Sequence, residues 1–502
     1  MLPVSGDGSK LPDRSATAGL VEIYFDYAMP TYRFFHRPSV LSWLADYHSG
    51  SQMSPVRQAI VLMVLATASL FIAVRGFARL DSDEEALQDA ERFYQAARRI
   101  VSEETGRAKL ESVQARLAVC LYLLHTSRPN QAWYTFGTTV QMIFALGLHR
   151  KQHESHKLQD AVVVECRRRS FWAAATLDTY LSIMLGRPSL LHEDDIDQEH
   201  PRPVHDEDMS LTDDTKGDAA VEASILHAKI GSILKKASYE QYSMNRKTNP
   251  RRTDQTARLN ADLAAWKASL PVVLSGAVHT ANLVPVFRRQ VVVLRLAHAH
   301  AVMFINRPLL LSDVNPIESA DPHVQACLTA ARDTLESLLR AVHDGTAFNA
   351  FWFTQYVTFS ALSIVYVWLI QRRRGRLTAC GVPYEDNQLL QLAEEIQEHL
   401  AKATQTNAPS LRYSAVLSEL QQEARLLVTG VGPTPPLVDH SLAATTTTGH
   451  VASVASTLTA TGANVPPTDA AADPLGWETL SKDLPLDPDL WLQLDAFPFC
   501  KP

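Results

Sequence analysis

Cysteine is scarce in this sequence: Cys120, Cys166, Cys327, Cys380 and Cys500 are the only five in 502 residues, odd in number and far apart. That scatter fits free thiols in a reducing compartment rather than a disulfide framework. No Cys-x-x-Cys occurs, so these residues hold no zinc cluster built on thiolate pairs. Walker-type loops, Gly-x-Ser-x-Gly, His-Glu-x-x-His and dinucleotide fingerprints are missing too, which removes the common catalytic signatures. Positive charge is not in excess: 47 Lys and Arg face 54 Asp and Glu, a net charge of -7. A free-standing nucleic-acid-binding domain is usually basic. Residues 1–14 contain no apolar run behind a basic start, so no secretory leader is read there. The longest apolar stretch, residues 59–74, includes Thr67 and Ser69. A bilayer span needs ~20 apolar residues. Neither this run nor the shorter one at 357–370 is therefore read as a membrane segment, and no membrane partner is expected.

What is present is helical patterning. From residue 18 to about 428, apolar residues recur at three- and four-residue spacing, without sustained two-residue alternation. The fold expected is all-α: a multi-helix regulatory body over 18–428 behind a short disordered N-terminus at 1–17. Asn130 is placed to cap a helix starting at Gln131, with Gly147 near its end. Prolines 129, 188 and 308, each after an arginine, are read as helix stops. Residues 198–218, acidic and proline-bearing, read as an exposed loop. Residues 429–472, rich in Thr, Ala and Pro, cannot bury enough apolar surface to fold and are expected to be disordered.

The most informative segment is ECRRRSFWAAATLDTYLSIMLGRPSLLHEDDID, residues 165–197. Its apolar residues, Phe171 and Trp172 among them, fall all around a helical wheel, which marks a central, buried helix. Gly186 supplies a left-handed cap, and Pro188 after Arg187 blocks continuation. Asp178 falls on the buried side and needs a partner; Arg187 or one of Arg167, Arg168 and Arg169 is the candidate. Two readings stay open for it, a ligand or switch site and a core-specifying ion pair.

The run RRRSFW…LD.YLS..LGRP…DDID resembles the signature of the fungus-specific transcription factor regulatory domain, also called the middle homology or xylanolytic-activator regulatory domain. Three more stretches resemble that family in order. They are LVEIYFDYAMPTYRFFHRPSVLSWL at 20–44, ARLAVCLYLLHTSRPNQAWYTFGTTVQMIFALGLHR at 115–150 and LRLAHAHAVMFINRPLLL at 294–311. The resemblance implies a nuclear regulator of transcription. The family's six-cysteine, two-zinc module has no counterpart in this sequence, so no cofactor is assigned to this chain. Zinc is expected only if an upstream module exists. DNA would then be reached through such a module or through a partner factor, in a homo- or heterodimer.

His149 and His153 have a four-residue spacing that suits two metal ligands on one helix face, but with His156 they follow a helix-ending glycine among charged residues and read as a linker. His298 and His300, two apart, do not share a helix face. The clusters 167–169 and 372–376 could touch phosphate or an import receptor, although helix ends favour such cations anyway. The last segment, 473–502, alternates acids with large apolar residues: Asp487, Asp489 and Asp495 among Trp491, Leu494, Phe497 and Phe499. Such aromatics, kept accessible by acids, can dock in a coactivator groove; docking on the protein's own core is the other reading. The function expected is a transcription regulator of metabolic genes, not an enzyme, whose helical body masks or releases this activation tail. A non-DNA-binding coregulator, or a cytosolic helical metabolite-binding protein or enzyme, is the alternative.

Overall fold

A computed structural model describes residues 11–73, 81–151, 160–209, 220–242, 252–310, 322–343, 351–375, 377, 385–404 and 410–430. Among these the fold is all-α, as the patterning predicts, with fifteen α-helices and no β-strand. The first nine are α1 (Arg14–Ile23), α2 (Arg37–Ser49), α3 (Pro55–Ala73), α4 (Asp81–Ser102), α5 (Leu110–His125), α6 (Pro129–Ala145), α7 (Ala161–Leu185), α8 (Glu222–Tyr242) and α9 (Arg252–Ala268). After the single turn α10 (Val272–Ser275) come α11 (Pro285–Leu310), α12 (Pro322–His343), α13 (Trp352–Arg373), α14 (Asp386–Thr404) and α15 (Ser410–Thr429).

Helices apolar on every face form the centre. In α3 every residue from Ala59 to Phe71 is buried, and in α5 every one from Ser112 to His125. In α13 burial runs unbroken from Tyr356 to Gln371. Helices with one apolar stripe, such as α12 with Val324, Leu328, Ala331 and Leu335, cover this centre. Thus α4 packs on α3, α8 on α7, and α11 against α8, α9, α12 and α13. The result is one continuous apolar core from Val21 to Ala424. Each fully buried Leu or Phe in it contributes ~1.5–3 kcal/mol.

Three expectations need correction. Helices α3 and α13 are, by length and composition, long and apolar enough to cross a membrane, so the argument from segment length fails. Their apolarity is accounted for by packing, since 78% and 89% of the two windows are buried among other helices. Pro308 is not a stop either, because α11 continues through it to Leu310. A proline there denies its nitrogen to the carbonyl of residue 304. The Tyr242 hydroxyl donates to that Phe304 carbonyl instead, at 2.7 Å. Asn130 likewise does not cap α6; the helix opens with Pro129 at its first turn, where a missing N–H costs nothing.

Candidate functional site

Helix α7 carries the motif. The Asp160 carboxylate accepts from the Val162 N–H at 3.0 Å and starts it. Gly186, at φ 59°, ends it, and the Arg187 N–H reaches back to the Ser182 carbonyl at 3.0 Å. Pro188 follows, as read. Phe171 is fully buried. Trp172 is half-buried, with its Nε1–H donating to the Glu199 carbonyl at 2.8 Å and its ring stacked on His200.

The three arginines turn inward to different partners. Arg167 donates to the Leu146 and Gly147 carbonyls at 2.9 and 3.4 Å, closing the end of α6. Arg168 pairs with Glu199. Arg169, whose side chain is 1% exposed, bonds Asp206 at 2.6 Å, Glu165 at 3.4 Å and the Val204 carbonyl at 3.0 Å. The second Asp206 oxygen accepts from the Arg37 N–H at 2.8 Å, and His36 Nε2 meets the Asp206 carbonyl at 2.9 Å. Two motifs far apart in sequence, His36-Arg37-Pro38 and Arg167-Arg168-Arg169, are therefore joined through one aspartate. Burial alone would raise the Asp206 carboxyl, but Arg169, the Arg37 N–H and Arg33 outweigh it and hold it below the usual range. Residues 198–209 are consequently not an exposed loop: Pro201, Val204 and Met209 are buried, and Glu199 and Asp206 are spent on α7. Residues 210–219 lie outside the described residues.

Asp178 is buried, but neither Arg187 nor residues 167–169 pair with it. It accepts from the N–H groups of Leu190 and Leu191 at 2.9 and 3.1 Å and from the Ser189 hydroxyl, and the Lys235 ammonium lies 3.6 Å away. It fastens the turn after Pro188 to α7 and α8. Arg187 instead donates to Asn130 Oδ1 at 2.7 Å and covers the Trp133 ring. The second basic cluster is spent similarly: Arg372 and Arg373 each lie 2.7 Å from Asp386, and Arg374 lies 3.0 Å from Glu423. Arg376 is outside the described residues.

Beside Arg169 lies a narrow cleft with room for about one water. Its walls are Thr31 and Arg33, Trp172 and Ala173 of α7, Pro201, and Val221 and Ser224 at the start of α8. Behind it two histidines are buried. His227 bridges the Thr31 and Tyr180 hydroxyls at 2.9 and 3.1 Å, and His300 meets the Tyr356 hydroxyl at 3.1 Å. Burial drives both pKa values down to about 3, so both rings are neutral. Burial also pushes the Cys166 and Cys327 thiols up to about 12, away from thiolate reactivity. Among the described residues no three His, Cys, Asp or Glu side chains are grouped to hold a metal. His149 packs on Phe144; His153, His156 and the acidic tail 473–502, including Asp487, Asp489, Trp491, Leu494, Asp495, Phe497 and Phe499, lie outside the described residues. Sequence reasoning missed Arg33, Glu165, Asp206, His227 and Lys235, although Arg33 and Glu165 fall inside quoted motif segments.

Comparison with known proteins places this geometry in context. Residues 21–268 match the family model described as the fungal specific transcription factor domain. The chain is 23% identical over 369 residues to Activator of stress genes 1 of Saccharomyces cerevisiae, covering 70% of this chain and 38% of that one. An uncharacterized transcriptional regulatory protein of Schizosaccharomyces pombe is 26% identical over 368 residues, 71% of this chain and 45% of that one. An ABC-transporter-regulating transcription factor of Aspergillus fumigatus is 23% identical over 391 residues, 72% and 42% of the two chains. The chain spans between 38% and 58% of the length of the first curated relatives it matches. No solved structure matches it.

Proposed function

We propose that this chain, whose residues 21–268 belong to the fungal specific transcription factor domain family, is the helical regulatory part of a nuclear regulator of metabolic genes. DNA is reached through an upstream zinc module or a DNA-binding partner, with homo- or heterodimerisation, and coactivators dock on the tail at 473–502. The observation that carries the reading is the family match laid over α1 to α9, where the motif residues hold one helical body together. Relatives that this chain resembles bear the names of transcription regulators or activators. Such a body supports a two-state mechanism, in which the tail is held in one state and released in the other.

The test is a reporter assay with the chain fused to a heterologous DNA-binding domain in a fungal host. Activation is expected, with a fluorescent fusion concentrated in the nucleus. Deleting 473–502 is expected to abolish activation, and substitutions that loosen the core are expected to raise it. Nuclear exclusion, or activation untouched by the deletion, overturns the reading.

A further inference from the structure

We infer that the exposed face of α11 formed by Val284, Arg288, Val292 and Arg295 is the docking surface for the acidic segment 473–502 of this same chain. Its use as a mask rests on the regulatory reading above; the contact itself does not.

The argument starts from charge. Residues 263–312 contain no Asp or Glu, against five Lys and Arg, in a chain whose net charge is -7. Arg289 and Arg307 turn into the core, whereas Lys267, Arg288 and Arg295 are exposed. Elsewhere exposed cations such as Arg57 and Lys236 meet carboxylates, those of Glu111 and Asp262, at 2.9 Å. Arg288 and Arg295 are held by carbonyls instead. Arg288 donates to the Thr280 and Leu283 carbonyls at 3.0 and 3.1 Å, and Arg295 to that of Gly276 at 3.3 Å. Carbonyls fix where the guanidiniums lie but cancel no charge. On the helices packed against α11, Glu240, Asp262, Asp333 and Glu336 are each held by another lysine or arginine. Burial, and then the charge of Lys267, lower the His298 pKa to about 4, which sets Lys267 beside α11 just past Arg295.

The same face is apolar between its cations. Positions 284, 288, 292 and 295 recur at helical spacing, so they share one side of α11, valine alternating with arginine. Val284 and Val292 are 55% and 37% exposed, and Val272, on α10 packed against α11, is 68% exposed. Uncompensated cations among exposed valines fit an acidic segment that carries large apolar side chains. Residues 473–502 are such a segment, with six Asp and Glu against two Lys, and with Trp477, Trp491, Phe497 and Phe499 among them. Being part of the chain is what makes this occupant sufficient. A fully buried valine contributes only ~1.5–3 kcal/mol, so three of them are little against the cost of bringing a free partner to the surface. A linked segment needs less, because its effective concentration is set by the linker. The 42 residues of 431–472 reach at most ~150 Å fully extended, so chain length does not keep the two apart. A second copy fits worse, since pairing the face with itself about a two-fold axis sets arginine against arginine.

The experiment is photo-cross-linking of the purified full chain with p-benzoylphenylalanine in place of Val292. Mass spectrometry is expected to find the cross-link within residues 473–502. Irradiation in an excess of isotope-labelled wild-type chain shows whose tail is captured, and the captured tail is expected to carry no label. Arg288→Glu with Arg295→Glu is expected to cut the yield at least about fivefold. Asp487→Lys, Asp489→Lys and Asp495→Lys together are expected to do the same, and they carry the test should the arginine variant fail to fold. Combining the two sets makes the charges opposite again and is expected to restore the cross-link. A cross-link that falls only outside 473–502 overturns the proposal, as does capture of a labelled tail, which would make the face a contact between copies. A yield that neither set of substitutions lowers overturns it too. Because the contact is read on the purified chain, its absence leaves the transcriptional reading standing, and failure of the reporter leaves the contact standing.

Discussion

Removing the Asp206 carboxylate should cost more than removing any surface charge, because Asp206 is the joint between α2, α7 and the loop at 198–209. Its side chain is 12% exposed and that of Arg169 is 1% exposed, so the pair they form at 2.6 Å is poorly screened by solvent. Breaking a buried pair from one side costs ~3–5 kcal/mol, because the remaining charge is stranded. Arg169 retains Glu165 and the Val204 carbonyl, which argues for the lower end. Loss of the acceptor for the Arg37 N–H adds about 1 kcal/mol. Asp206→Ala should therefore lower the unfolding free energy by about 3–4 kcal/mol, measured by urea titration followed by circular dichroism. Arg169→Met should cost a similar amount. The double replacement Arg169→Met with Asp206→Leu removes both charges and should recover at least about 2 kcal/mol of the summed single costs. The folded Asp206 pKa is lowered, so its stabilisation is fully present above the ordinary carboxyl range and is lost as pH falls through the folded value. Wild type and Asp206→Ala should thus converge in acid. A cost under about 1 kcal/mol for Asp206→Ala, or strictly additive costs in the cycle, would refute the reasoning.

Three further outcomes are expected. Tyr242→Phe removes the donor to the Phe304 carbonyl and the acceptor for Arg307 Nε at 2.9 Å, so urea unfolding should show a loss of about 1–3 kcal/mol, with Pro308→Ala in the same background partly restoring it. Gly186→Ala places a side chain at φ 59° and should cost about 1–2 kcal/mol by the same measurement. His227 and His300 have folded pKa values lowered to about 3, so the unfolded chain binds more protons between that value and ~6.5. Stability should fall as pH drops through this window, by about 2 kcal/mol per histidine between pH 6.5 and 5; a flat stability profile there would contradict the burial of both rings.

The helices were legible because their signals are local. The apolar wheel of α7, its glycine cap and the proline behind it sit within one stretch of chain, and the structure ends the helix where those residues say. Partners across the fold leave no such signal. Nothing near Asp178 points to Lys235 on α8, and residues 198–209 look like a solvated acidic loop until Glu199 and Asp206 are seen against Arg168 and Arg169. Pro308 misleads for the same reason, since a tyrosine from α8 replaces the hydrogen bond that the proline cannot make. The cleft was invisible altogether. Its walls come from four separated segments, and Arg33 stands in the sequence as one more arginine beside an aromatic pair.

Where these partners lie also bears on the proposed route to DNA. Arginine triplets such as 167–169 invite assignment to phosphate contacts. Arg169 could reach a phosphate only by leaving Asp206 and Glu165, at ~3–5 kcal/mol for a broken buried pair. One charge-assisted hydrogen bond returns ~1.5–3 kcal/mol. Arg167 would uncover two carbonyls at the end of α6 for the same return. The exchange is unfavourable at both positions, and the net charge of -7 adds repulsion at longer range. The motif is thus a device for closing the helical body.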